Sequence, residues 1–265
     1  MSLKEYVFTD DFEVTDEVKQ DFDEAGYVIL RGLLDKEELL KVKDALEGTD
    51  ALLKNSFQVN DSEGRKSRLC LWSHPGNDVT GMVGRCEKVA GTSEKLLGGE
   101  VYHYHTKLMM KEPFTGGEHV WHQDYGYWYK NGCLFPDMLT VFIAIDKCWK
   151  ENGCLQILQG SHKCGRIEHV MVGGQTGADV ERVDQIKKVL PLHFVELEPG
   201  DALFFHSNLL TRPSVLQETL CFSTLIYCTT APLTRAHIAD GLFSVPTTKP
   251  ATTLCMSTIT PSTHL

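Results

Sequence analysis

From Val101 onward the chain breaks into short runs of branched and aromatic residues, and this limits its fold more than any other feature. The runs lie at 101–110, 119–128, 138–146, 153–158, 193–197, 202–206 and 220–229. Turns containing Pro and Gly separate them, as at Pro113 to Gly117 and at Glu198-Pro199-Gly200-Asp201. Many short strands with such punctuation point to a sandwich or barrel. The amino-terminal part reads differently. Thr15-Asp16-Glu17 opens a helix with acidic groups at its positive end, Val18, Phe22 and Ala25 follow at helical spacing, and Gly26 stops it. Tyr27 to Arg31 reads as a buried strand, and Asp35 to Glu38 as a capping box opening a helix through about Leu46. Leu39, Leu40, Val42 and Leu46 are its expected apolar side. Residues 50 to 98 are less legible, with turn signals at Asn60 to Gly64 and His74 to Asn77. No repeat or linker divides the chain, so one mainly β domain with flanking helices is expected over residues 1–230. The Thr- and Pro-rich residues 231–265 read as a tail without regular structure.

Within the run 119–128, Trp121-His122-Gln123-Asp124 places an imidazole and a carboxylate two positions apart. On a strand such residues share a face, so His122 and Asp124 converge while Gln123 turns away. One nitrogen and one oxygen donor make two-thirds of the 2-His-1-carboxylate set that binds non-heme Fe(II). Spacing alone is weak support, since a chain with eleven histidines produces a His-x-Asp often. The alternative is a pair of surface or structurally hydrogen-bonded groups.

Composition narrows the field. A hydrophobic content of 42 % supports a real core, and a net charge of -10 with no basic stripe argues against nucleic-acid binding. No apolar run approaches a membrane span, and the start of the chain has neither a signal core nor a presequence. The nine cysteines are scattered without a Cys-x-x-Cys pair, which suits a reduced, cytoplasmic setting and argues against a cysteine zinc site. No Gly-x-Ser-x-Gly elbow suggests a hydrolase.

Downstream of Trp121-His122-Gln123-Asp124 stand, in order, Asn152-Gly153-Cys154-Leu155, Gly160-Ser161-His162 and Pro199-Gly200-Asp201 with Phe204-Phe205-His206. With the upstream Gly26 to Gly32 segment, these pieces resemble the phytanoyl-CoA dioxygenase family of Fe(II)- and 2-oxoglutarate-dependent oxygenases. In local pattern the chain is most similar to the ectoine hydroxylases. The resemblance runs from about Asp21 to Leu210. It implies a double-stranded β-helix (jelly roll), with Fe(II), 2-oxoglutarate and O2 used to hydroxylate an aliphatic C–H of a small organic molecule. It assigns His122 and Asp124 as catalytic metal ligands and His105, Lys107 and Trp128 as substrate contacts, with Tyr125 and Tyr127 walling the same pocket. A solvated Lys107 and a core Trp128 are the plainer alternatives. His162 is expected to steady a turn, and Met109 and Met110 to pack.

The chain then departs from the family pattern. Where the family has its second histidine ligand, this sequence has Thr211, and eleven residues on, where an arginine grips 2-oxoglutarate, it has Phe222. A threonine hydroxyl is a poor Fe(II) ligand, and phenylalanine cannot pair with a carboxylate. His206 is the candidate third ligand, provided that its strand shifts or bends; Arg212 beside Pro213 suggests a surface turn. The abrupt stop between Leu210 and Thr211 points to a shifted frame or alternative exon behind residues 211–265. The alternative function is therefore a non-catalytic or impaired member of the same fold.

Overall fold

The computed structural model describes residues 2–48, 54–60, 66–111, 120–213 and 219–228. The proposed tail lies outside them, as do the turns at Asn60 to Gly64 and Pro113 to Gly117 in large part. The chain opens with β1 (Glu5–Val7), α1 (Asp16–Ala25), β2 (Tyr27–Arg31) and α2 (Lys36–Glu47). Then come β3 (Phe57–Asn60), β4 (Lys66–Trp72), α3 (Val79–Arg85), α4 (Ala90–Leu97) and β5 (Val101–Lys111). The second half carries α5 (Asp124–Trp128), β6 (Met138–Ala144), β7 (Leu155–Leu158), β8 (His169–Val172), β9 (Gln175–Ala178) and α6 (Val180–Lys187). It ends in β10 (Leu192–Val195), β11 (Ala202–His206), β12 (Thr211–Pro213) and β13 (Thr219–Cys228).

Local chemistry sets the helix ends. The Thr15 side chain accepts from the Val18 N–H, and Gly26 takes the left-handed conformation that closes α1 at φ 83°. Asp35 and Glu38 form the reciprocal capping box of α2. One expectation for α2 is corrected. Leu40 is 60 % exposed, because Leu39, Val42 and Leu46 already fill the inward stripe and Leu40 falls roughly 100° beyond Leu39.

Eight strands form one sheet in the order β1-β2-β11-β6-β13-β5-β4-β3, and three form a second in the order β10-β7-β12. Period-2 alternation sorts the large sheet's side chains onto two faces. Val28, Leu30, Val141, Ile143, Ala202 and Phe204 pack under α1 and α2. Tyr27, Ile29, Leu203 and Phe205 face Leu155, Ile157 and Val195 of the small sheet, making an inter-sheet core. Two facing sheets, antiparallel except for the parallel β1–β2 pair at one edge and braced by helices on one side, are the expected jelly roll. Beyond the small sheet, α6 closes a third cluster over Trp121, Leu158 and Leu210.

Residues 120–128 do not form a strand. His122 makes one isolated antiparallel bridge to Thr211, and α5 begins at Asp124. The strand stops because the next backbone groups find other partners: the Gln123 N–H donates to the His169 imidazole and the Tyr125 N–H to the Ser207 carbonyl.

Candidate metal-binding site

His122 and Asp124 converge despite this change of geometry. His122 Nε2 lies 3.6 Å from Asp124 Oδ1, both side chains being largely buried. His122 Nδ1 is 3.0 Å from the Val120 carbonyl. With its hydrogen donated there, Nε2 carries the lone pair and faces the carboxylate, as a metal-binding histidine requires. Burial pushes the His122 pKa down while neighbouring Asp124 opposes the shift, so the ring is neutral and able to ligate at neutral pH. The other carboxylate oxygen, Asp124 Oδ2, accepts from the Thr140 hydroxyl at 2.6 Å. Thr140 pairs in register with Phe205, which fixes it on the inter-sheet face of β6. Removing this anchor by Thr140→Val is expected to weaken divalent-metal affinity about tenfold. A Co(II) titration with an unchanged affinity would show that Thr140 does not orient the acid.

Gln123 was expected only to turn away, yet it anchors the pair. It is fully buried, its amide donates to the Gly165 and Asn208 carbonyls, and its carbonyl accepts from the Ile167 N–H. His169, itself 2 % exposed, accepts from the Gln123 N–H and bonds the Ile167 carbonyl through its other nitrogen. Gly126 makes room for this: a Cβ built there would overlap the His169 ring. The sequence signal for Gln123 was one amide inside an otherwise buried run. Thr140 and His169 gave no signal.

On β5, His105 and Lys107 stand two positions apart and so share a face. His105 is buried and its pKa is pushed down to about 4 by burial, with the Lys107 charge adding to the shift and that of Asp124 opposing it. The Trp128 ring packs 4.8 Å from His105 and 5.1 Å from Tyr104. The Tyr127 ring lies 5.6 Å from that of His122, and its hydroxyl donates to the Thr176 carbonyl. Tyr125 packs instead against Met138, with its hydroxyl on the Leu134 carbonyl. His105, Lys107 and Trp128 thus gather on the side of the sheet where His122 and Asp124 meet.

His206 does not join them. It follows Ala202 and Phe204 on the helix-covered face of β11, opposite Leu139, and the β11–β6 register runs unbroken to its end. Its Nδ1 accepts from the Asn208 N–H, and its ring lies 5.3 Å from that of His162. His162 also contacts α1, with Nε2 3.0 Å from the Asp23 carbonyl. The position opposite His122 belongs to Thr211. The two residues exchange both backbone hydrogen bonds, at 3.0 and 2.9 Å. Arg212 is not a turn residue but lies on β12, its guanidinium over Trp121 and bonded to Gln156 on the far side of the small sheet. Phe222 pairs with Leu108 and Ile143, whereas the next position, Ser223, pairs with Lys107.

Two ligands on one ion, with bonds of about 2.1 Å, lie roughly 3.0–3.5 Å apart. The His122–Asp124 pair fits that span after a small side-chain rotation. Among the described residues no three His, Cys, Asp or Glu side chains converge as a metal-ligand group. Among the described residues the donors therefore fit two coordination positions, and no third strong ligand joins them. Among the described residues, too, no helix is long and apolar enough to cross a membrane.

Comparison with known proteins shows the family and the fold. A family model described as phytanoyl-CoA dioxygenase (PhyH) matches residues 22–211. L-proline trans-4-hydroxylase of Streptomyces griseoviridis is 30% identical over 145 residues, 54% of this chain and 53% of that protein. Ectoine dioxygenase of Stutzerimonas stutzeri is 26% identical over 168 residues, 61% of this chain and 56% of that protein. The chain spans about half the length of the curated relatives it matches. Among solved structures, EctD from S. alaskensis with bound Fe superposes with a TM-score of 0.67 at 20% identity, covering 83% of this chain and 79% of that one. The epimerase SnoN, in complex with Fe3+, alpha ketoglutarate and nogalamycin RO, gives a TM-score of 0.65 at 18% identity, covering 81% and 84%. At these identities the superpositions establish a shared jelly-roll fold, and the extent of the family match goes further: this chain belongs to the phytanoyl-CoA dioxygenase family.

Proposed function

We propose that this chain is a dioxygenase dependent on Fe(II) and 2-oxoglutarate that hydroxylates an aliphatic C–H of a small organic molecule. The observation that carries the reading is the neutral His122 Nε2 facing Asp124 Oδ1 at 3.6 Å. Its relatives support it: L-proline trans-4-hydroxylase and ectoine dioxygenase act on small molecules by name, and EctD has been crystallised with Fe and with 2-oxoglutarate. Iron bound at His122 and Asp124, with 2-oxoglutarate and O2, supplies the oxidising power for an unactivated C–H bond. The protein's own groups do the positioning. Thr140 holds the carboxylate in place, and Val120 fixes the imidazole tautomer. Lys107, whose charge acts on both His105 and His122, offers a cation to an anionic group of the substrate or co-substrate. His105, held neutral by burial, and Trp128 present ring surfaces to the substrate's carbon frame.

A second reading, an impaired or non-catalytic member of the family, is favoured by Thr211 standing opposite His122. Aerobic incubation with Fe(II) and 2-oxoglutarate separates the two. Succinate release above that of His122→Ala supports the enzyme. No release from the natural chain, with recovery in the double variant Thr211→His and Phe222→Arg, supports the impaired member.

A further inference from the structure

We infer that His169 is a positioning residue for the metal pair: its imidazole locks the one residue between the two ligands and so sets how His122 and Asp124 face each other. The inference rests on the reading of His122 and Asp124 as metal ligands and goes beyond it. Between the ligands stands Gln123, extended at φ -110° and ψ 133°, and α5 starts at the next residue. With only two soft dihedrals in that residue, the spacing of the ligands depends on what holds its peptide groups. Three hydrogen bonds close a ring around it. The Gln123 N–H donates to His169 Nε2 at 3.1 Å, His169 Nδ1 meets the Ile167 carbonyl at 2.9 Å, and the Ile167 N–H donates to the Gln123 side-chain carbonyl at 2.7 Å. A backbone N–H can only donate, so Nε2 is the acceptor and the ring hydrogen sits on Nδ1, where the Ile167 carbonyl takes it. In such a closed chain each bond polarises the next.

The β8–β9 hairpin holds the chain on both sides of His122. His169 pairs in register with Ala178 of β9, whose N–H donates to the Trp121 carbonyl at 2.8 Å. One rung of the hairpin therefore grips the peptide before His122 through Ala178 and the peptide after it through His169. The grip continues along α5. The Tyr127 hydroxyl donates to the Thr176 carbonyl at 2.7 Å, and just past the helix Lys130 Nζ donates to the His169 carbonyl at 2.8 Å. The Tyr127 ring lies 5.2 Å from that of His169 and 5.6 Å from that of His122, so it touches both imidazoles. A ligand pair held from both flanks keeps its spacing whether or not an ion is bound, which is what tight metal binding requires of the groups around the ligands.

The test titrates Co(II) into the full chain, follows the ligand-field bands of the bound ion, and checks folding by circular dichroism. The natural chain is expected to give bands that His122→Ala abolishes. His169→Ala is expected to keep the fold, to weaken Co(II) binding about tenfold or more and to shift the bands. Two further variants separate hydrogen bonding from packing. His169→Gln keeps an acceptor and a donor without the ring, and is expected to return affinity and bands toward those of the natural chain. His169→Phe keeps a ring without the hydrogen bonds, and is expected to bind as weakly as His169→Ala. Restoration by His169→Phe, or none by His169→Gln, overturns the inference, and so does Co(II) binding unchanged in all three. Absence of His122-dependent bands in the natural chain instead overturns the metal pair itself, and this inference with it. If the variants at His169 do not fold, Gly126→Ala carries the test. Alanine favours the helix yet puts a methyl where the His169 ring lies, so weaker Co(II) binding is expected and unchanged binding overturns the inference.

Discussion

Replacing His122 with alanine removes divalent-metal binding, and Asp124→Ala does the same. Each leaves one strong donor of a pair that no third described side chain joins. Loss of an outer partner alone costs roughly 10–100-fold in metal affinity, so loss of one of two inner ligands is expected to exceed about 100-fold. The effect should be larger than in a three-ligand site, because among the described residues no second histidine joins the pair: Thr211 stands opposite His122, and His206 lies on the helix-covered face of β11. Neither substitution should unfold the chain. His122 lies outside the hydrophobic clusters, and Asp124→Ala releases a single buried hydroxyl, that of Thr140. Metal titration followed by calorimetry, with circular dichroism as a check on folding, measures this. Affinity within a few fold of the natural chain in either variant would mean that the ion, if bound, sits elsewhere.

Gln123→Ala is expected to produce the largest loss of stability at the site. The side chain satisfies three backbone groups at once: the buried Asn208 carbonyl and Ile167 N–H, and the part-buried Gly165 carbonyl. Leaving a buried polar group unpaired costs about 1–3 kcal/mol, and the cavity adds to it, so a loss of roughly 3–5 kcal/mol follows. Those three partners come from two separate segments, 165–167 and 208, so the amide ties the turn carrying His122 and Asp124 to both. Gln123→Met keeps the volume and loses only the hydrogen bonds. It should recover the cavity part of the stability and none of the metal affinity that depends on the turn's position. A Gln123→Ala protein whose urea unfolding lies within about 1 kcal/mol of the natural chain would rule out the clamp.

Much of the architecture is legible in the residues themselves. The Thr15 cap, the Gly26 stop and the Asp35–Glu38 box each act locally, and each is found where expected. The strands at 101–111, 138–144, 155–158, 202–206 and 219–228 follow from branched and aromatic runs bounded by turns. The stretch from Trp121 to Trp128 misleads for a physical reason. Its aromatic composition suits a strand, but side-chain and loop partners from His169 and Ser207 take its backbone N–H groups, and the chain coils from Asp124. The convergence of His122 and Asp124 was expected from strand geometry and arises instead from a bridge followed by a helical turn. His206 illustrates the strength of period 2: a shift onto the inter-sheet face would turn Phe204 and Ala202 out of their core as well. The β8–β9 hairpin carries a signal in its Gly173-Gly174 turn. Thr140 and His169 were invisible because their roles exist only once distant strands are packed.

Crystals of the chain soaked with Mn(II), measured at a wavelength where manganese scatters anomalously, test most directly whether one ion sits between the imidazole and the acid. A single anomalous peak about 2.0–2.3 Å from both His122 Nε2 and Asp124 Oδ1 is the expected result. A peak bound to other residues, or the two side chains turned apart with no peak between them, contradicts it.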